Sequence, residues 1–196
     1  MRYLQLSLII FILLSSAVNL LAAPKMRPYS GIGVLQLSSV GVTDAIPLYD
    51  DPGIARCCKV ESATIKEMNS WLFGGERPPS LLVINRKGDW LEVEHDDAGR
   101  TGWVMQARRW SYTPWEQYLK GKLALFLRNS PKKMIQVVPR PGAAEGAPLT
   151  PKQPMKIILA QGDWAYVLLN QNSAGWIRWR DNDGRLLVGF DVPLTK

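Results

Sequence analysis

The side chains that most often carry covalent chemistry are scarce in this chain and poorly spaced for it. There is one histidine, His95, and the only two cysteines, Cys57 and Cys58, are adjacent. A nucleophile needs a base within hydrogen-bond reach. Yet "IARCCKV" around the thiols has no small-residue elbow, and His95 opens the polar turn "EHDDAG". Paired carboxylates occur as Asp50/Asp51 and Asp96/Asp97, both in turn-like stretches where Asp caps backbone amides. Two neighbouring thiols without a histidine nearby are a poor metal set, and no Gly-rich phosphate loop or His-based metal spacing is present. The expectation is a non-enzyme with no catalytic residues, no metal and no cofactor.

Aromatic and guanidinium groups are the better-placed chemistry. "GDWLEVEHDDAGRTGWV" runs from Gly88 to Val104, and "GDWAYVLLNQNSAGWI" from Gly162 to Ile177 repeats its frame. Each is a G-D-W-x-x-V strand, a polar turn and a G-W-[V/I] return. Setting Val93 opposite Val104 and Val167 opposite Ile177 turns the aliphatic residues inward, and period two does the rest. Leu91, Val93, Ala165 and Val167 then face a core, with Ala165 opposite Trp179. The outer face of the first copy carries Trp90, Glu92, Glu94, Trp103 and Met105. That of the second pairs Trp164 with Arg180, Tyr166 with Arg178 and Leu168 with Trp176. Trp and Tyr offer flat apolar area, and Arg offers a fork for carboxylates. The candidate ligand-binding residues are therefore Trp164, Tyr166, Trp176, Arg178 and Arg180, with Trp90 and Trp103 as first-copy equivalents. The competing structural readings are that these tryptophans close a barrel end, or that the acidic and basic outer faces dock on each other.

The elements that must position this face are strands. "GIGVLQLSSV", "AIPLY", "SLLVI", "WLEVE", "GWVMQ", "LALFL", "MIQVV", "MKIILA", "WAYVLL", "GWIRW" and "LLVGF" are short, rich in β-branched and aromatic residues, and separated by Gly, Pro, Asn and Asp. Between the copies, "SYTPWEQYLKG" predicts a short helix, with Thr113 as cap, Pro114 at the first helical position and Glu116 completing a capping box. The repeat extends to "LYDDPG" and "VVPRPG", each a strand end running into a Pro-Gly turn. The first copy carries an insertion within 61–80, read either as a binding loop or as decoration.

The chain opens with an apolar run, "LQLSLIIFILLSSAVNLLAA", ending in small residues, which predicts a signal peptide over residues 1–23. Retention as an anchor is the alternative, since about 20 apolar residues can span a bilayer. Without Arg2 the formal charge of +7 becomes +6, and it is unevenly placed. Residues 24–118 hold 11 Lys/Arg against 12 Asp/Glu, whereas residues 119–196 hold 12 against 5. Adjacent cysteines cannot staple domains. Strand alternation would put one thiol inward and the other outward, so no intramolecular disulfide is expected.

The arrangement "IPLYDDPG … LLVINRKGDWLEVEHDDAGRTGWV" resembles a bacterial SH3-like domain, over most of Gly31 to Met105. A second, divergent match covers Leu123 to about Phe190, with Ser173 and Ala174 where the first copy has Arg-Thr before its G-W. The resemblance implies an all-β protein of two small, strongly bent antiparallel SH3-like barrels, 31–110 and 122–192, joined by a helical linker at 111–121. It also implies an exported, periplasmic or secreted, protein that binds a cell-wall polymer or peptide, such as a peptidoglycan stem peptide or glycan. The alternative is a cell-envelope adaptor or structural protein that binds another protein. A sequence pI near 9.5 would also suit nucleic acid. Export argues against that partner, and no membrane span is expected after cleavage.

Overall fold

A computed structural model of the chain describes residues 26–38, 41, 44–61, 64–65, 72–74, 78–96, 98–150, 152–170 and 173–190. The expected signal segment lies outside them. The β-branched and aromatic stretches are strands, as their composition predicts, and every pairing is antiparallel. In chain order they are β1 (Gly33–Gln36), β2 (Ala45–Asp51), β3 (Ala55–Glu61), β4 (Ser80–Lys87), β5 (Trp90–Glu94), β6 (Thr101–Met105) and β7 (Ser111–Pro114). Helix α1 (Trp115–Leu119) follows, then β8 (Leu123–Phe126), a 3-10 turn (Lys132–Met134), β9 (Gln136–Val137), β10 (Ala147–Pro148), β11 (Met155–Gln161), β12 (Trp164–Asn170), β13 (Ser173–Arg178) and β14 (Val188–Phe190). A seven-stranded sheet runs β3-β2-β6-β5-β4-β1-β7, a five-stranded sheet β13-β12-β11-β8-β14, and β9 pairs with β10. Among the described residues neither large sheet is closed by a strand pair between its edges.

The helix between the repeats is present, but its expected cap is not. Thr113 is drawn into the ladder opposite Val34, so the backbone stays extended through Pro114 (φ −59°, ψ 153°) and the helix begins one residue later, at Trp115. Pro114 holds the cap position and no side chain caps the helix. Nor is α1 only a connector, because Trp115, Tyr118 and Leu119 are all buried.

The buried side chains form two clusters, and the boundary between them runs through strands β1 and β4. Leu35, Leu81 and Val83 face a core built from the first half alone, with Leu48, Leu91, Val93 and Val104. Val34 and Leu82, one residue out of phase, face a second core with Trp115, Phe126, Ile157, Val167, Trp179 and Phe190. These two strands are thus covered on both faces, which explains why "SLLVI" is a continuous apolar run and not an alternating one. The described part of the insertion joins in. Ile65 packs into the first core, while Leu72 and Phe73 pack into the second. There the Phe73 ring stands 5.9 Å from Tyr118 and 6.4 Å from Phe190.

An N-terminal arm completes the junction. Arg27 Nη2 donates to Asp181 Oδ2 at 2.7 Å, the Leu186 amide donates to the Pro28 carbonyl at 3.0 Å, and Trp115 Nε1 donates to the Ser30 carbonyl at 2.7 Å. Asp181 also accepts from the amides of Asp183 (3.0 Å) and Arg185 (2.9 Å). Burial alone would raise its carboxyl pKa. The Arg185 amide, the Arg27 guanidinium and the Asp183 amide outweigh burial and hold it below the ordinary value.

Candidate ligand-binding cleft

The repeated G-D-W has a local cause. In each copy the Gly-Asp pair is a two-residue hairpin turn, flanked by the pairs Lys87–Trp90 and Gln161–Trp164. Gly88 (φ 62°) and Gly162 (φ 56°) supply the positive φ that such turns need at their first central position. The Asp carbonyl then ties down the returning strand: Asp89 O accepts from the Gln106 amide at 2.9 Å, and Asp163 O from the Trp179 amide at 3.1 Å. The motif is a way of aiming one tryptophan out of a tight turn, twice.

The faces follow the expected alternation, and Leu91, Val93, Val104, Ala165, Val167 and Ile177 are all buried. The register does not. Val104 pairs with Leu91 and not with Val93, and Ile177 pairs with Ala165 and not with Val167. Gly102 and Gly175 take the places opposite the valines. Gly175 can stand there because the Val137 side chain fills the space beside it, 2.5 Å from where a Cβ would be. A slip of two keeps every residue on its face but changes every partner. Trp164 therefore pairs with Arg178, and Tyr166 with Trp176. The expected pairs of Trp164 with Arg180, Tyr166 with Arg178, Leu168 with Trp176 and Ala165 with Trp179 are not formed.

At the end of the β12–β13 hairpin, the Arg178 guanidinium lies over the Trp164 ring, 5.0 Å from its centre. Arg178 Nη1 also donates to the side-chain carbonyl of Asn182. Among the described residues no carboxylate pairs with this guanidinium. The pair forms one side of a cleft of about 280 Å³, whose other lining residues are Met134, Gln136, Gly142, Ala143 and Asn182. Of the remaining candidates, Tyr166 and Trp176 lie next along the same face, their rings 5.5 Å apart. Trp176 is held from its far side by paired amide and carbonyl bonds to Val138, at 2.8 and 2.9 Å.

Arg180 is removed from the site by its own partners. Its Nε donates to Asp163 Oδ1 at 2.5 Å, Nη1 reaches Ser30 Oγ at 3.4 Å, and the guanidinium lies 4.8 Å from the centre of the Trp179 ring. Trp179, not Trp164, is the residue that plugs the core: it is 2% exposed, with Nε1 donating to the Gly162 carbonyl at 2.9 Å.

The first copy repeats the frame without the cation. Met105 stands opposite Trp90 where Arg178 stands opposite Trp164, and it is 57% exposed. Trp90 is half-buried under the Pro52-Gly53 turn, a Cβ on Gly53 falling 3.6 Å from its ring, and Tyr49 meets it edge-on at 5.1 Å. Trp103 pairs with Glu92 on one side and Tyr49 on the other. In both copies the Pro-Gly turn approaches the first tryptophan of the motif. In the second it leaves a cleft, lined by Gly142 and Ala143, to which the repeat of "LYDDPG" in "VVPRPG" is the sequence signal.

The thiols keep their expected sides but stand closer than a regular strand would place them. β3 carries a bulge: Cys58 pairs with Leu48 and Arg56 with Tyr49, leaving Cys57 with no residue opposite. Cys58 is half-buried against the first core and Cys57 is exposed, so the inward and outward sides are as expected, but the bulge brings the two sulfurs to 3.0 Å.

What the cleft can do chemically follows from its lining. A guanidinium held on an aromatic face presents N–H donors in a fixed fork, beside an apolar wall of Trp164 and Met134 and the amides of Gln136 and Asn182. That suits a carboxylate attached to a small apolar or amide-bearing body. No protein-family model matches this chain, and no match is found among curated proteins.

Proposed function

We propose that the chain is a non-catalytic, exported binding protein for a bacterial cell-wall component, a peptidoglycan stem peptide or glycan, built from two divergent SH3-like modules. One observation carries the reading: Arg178, with no carboxylate partner among the described residues, is fixed over Trp164 in a cleft that offers apolar surface and amides together. Stem peptides combine free carboxylates, amides and small apolar side chains, which is the set the lining would recognise. The two-module reading is supported by the shared register of the β5–β6 and β12–β13 hairpins and by the matching Asp carbonyl ties.

A second reading, an envelope adaptor that binds another protein, is favoured by a different feature. Leu123, Leu159 and Leu168 are 53%, 42% and 41% exposed on the five-stranded sheet. Across the sheet Leu159 pairs with Tyr166 and Tyr166 with Trp176, giving an apolar row of the kind protein interfaces use. A pull-down on purified sacculi, set beside one on a sacculus-free envelope extract, separates the two. Retention on sacculi supports the cell-wall reading; capture of a defined protein partner with no retention on sacculi supports the adaptor.

A further inference from the structure

We propose that Cys57 and Cys58 are a modification site, a dithiol that closes reversibly to a disulfide by exchange with a low-molecular-weight disulfide. The bulge supplies the geometry. In a regular strand adjacent side chains point to opposite faces and their sulfurs are held apart. Here the extra residue, Cys57, sits between the ladder pairs Leu48–Cys58 and Tyr49–Arg56, and the sulfurs meet at 3.0 Å. Both thiols are free, Cys57 exposed and Cys58 half-buried against the first-half core. β3 is an edge strand of its sheet, and the sulfur that a reagent meets is that of Cys57.

The exchange balances without a metal or a further reductant. Cys57, as thiolate, attacks one sulfur of the external disulfide; a Cys57 Sγ–S bond forms, the external S–S bond breaks, and one thiolate leaves and takes a proton from solvent. Cys58 then gives its proton to solvent and attacks Cys57 Sγ, releasing the second external thiol. One dithiol is oxidised and one disulfide is reduced to two thiols. The pace is set by the first step. Desolvation, then the hydrogen bond and charge of Cys58, push the Cys57 thiol up to about 11. Only the thiolate attacks, so exchange is slow near neutrality and quickens with pH.

The test equilibrates the full chain in glutathione buffers of varied oxidised-to-reduced ratio, quenches with an alkylating agent and measures intact mass. The expected product is a species two hydrogens lighter than the reduced protein and carrying no alkyl group. It gives way to the doubly alkylated form as reduced glutathione rises, and its formation quickens about tenfold per pH unit on the alkaline side of neutrality, following the thiolate fraction. Cys58→Ser should stop at a single glutathione adduct on Cys57, with its melting curve confirming the fold. The closed form should also be more favoured in the native chain than in denaturant. Accumulation of glutathione adducts without the closed species would overturn the proposal, and so would two alkylatable thiols at the most oxidising ratio. Closure that is no easier in the folded than in the unfolded chain would overturn it as well.

Discussion

Arg178 and Trp164 are direct partners across the β12–β13 ladder, the guanidinium 5.0 Å from the ring centre. Arg180, two residues on, is instead taken by Asp163 and lies over Trp179. Two arginines with the same alternation phase thus have different roles. Arg178 has no carboxylate partner among the described residues, and Arg180 ties the G-D turn to the return of the hairpin.

The two tryptophans at this end should respond differently to truncation. Trp179→Ala removes a fully buried ring and its bond to Gly162, and should cost about 3 to 5 kcal/mol. Trp164→Ala removes a half-buried cleft wall and should cost roughly half as much. Thermal or urea melts of both variants check the order; equal losses would place Trp164 in the core.

Asp181 should make folding acid-sensitive. Its folded pKa lies below the ordinary 3.8, so its contribution is fully present above that value and is lost as pH falls through the folded pKa. Asp181→Ala should cost about 1.5 to 3 kcal/mol near neutrality, the worth of hydrogen bonds to a charged group. The gap between wild type and variant should then narrow on acidification. Urea melts across the acid range measure it, and a gap independent of pH would show that the Arg27–Asp181 clasp does not act through charge.

Gly31 holds the entry to β1 by a backbone that other residues resist. Its φ is 59°, and a Cβ there would fall 2.1 Å from the Val83 carbonyl oxygen. Gly31→Ala should cost more than the roughly 1 to 2 kcal/mol of the left-handed conformation alone, because β4 must shift as well. Chemical denaturation reads the loss directly.

Binding of an anionic cell-wall polymer should weaken as salt rises, since attraction to the partly exposed Arg178 guanidinium is screened over about 10 Å at 0.1 M salt. Sacculus retention across a salt series reads this, and the slope should flatten in Arg178→Ala.

Much of this was legible in the residues, and what was not has identifiable causes. The strands, the connecting helix and the inward faces of both hairpins follow from period and composition. Register did not, because matching Val93 to Val104 and Val167 to Ile177 ignored how small residues accept crowding; Gly102 and Gly175 sit opposite the valines because other side chains need that space, Leu48 packing 3.2 Å from where a Cβ on Gly102 would be. The cap on α1 was misplaced because the pairing of Thr113 with Val34 is non-local. The role of Leu72 and Phe73 was equally hidden, since a short apolar pair inside a polar insertion says nothing about which core it enters. The cleft needed tertiary structure too, because Met134, Gln136 and Asn182 reach Trp164 from segments far apart in sequence.

The central claim is that Arg178 on Trp164 is the binding centre, and the most direct measurement is equilibrium sacculus binding at low salt by wild type, Arg178→Ala and Arg180→Ala, each with a melting curve. Arg178→Ala should keep its melting temperature and bind about tenfold or more weakly, the loss of a charge-assisted contact of about 1.5 to 3 kcal/mol. Arg180→Ala should lose some stability and retain binding. Wild-type affinity in a folded Arg178→Ala variant would contradict the account.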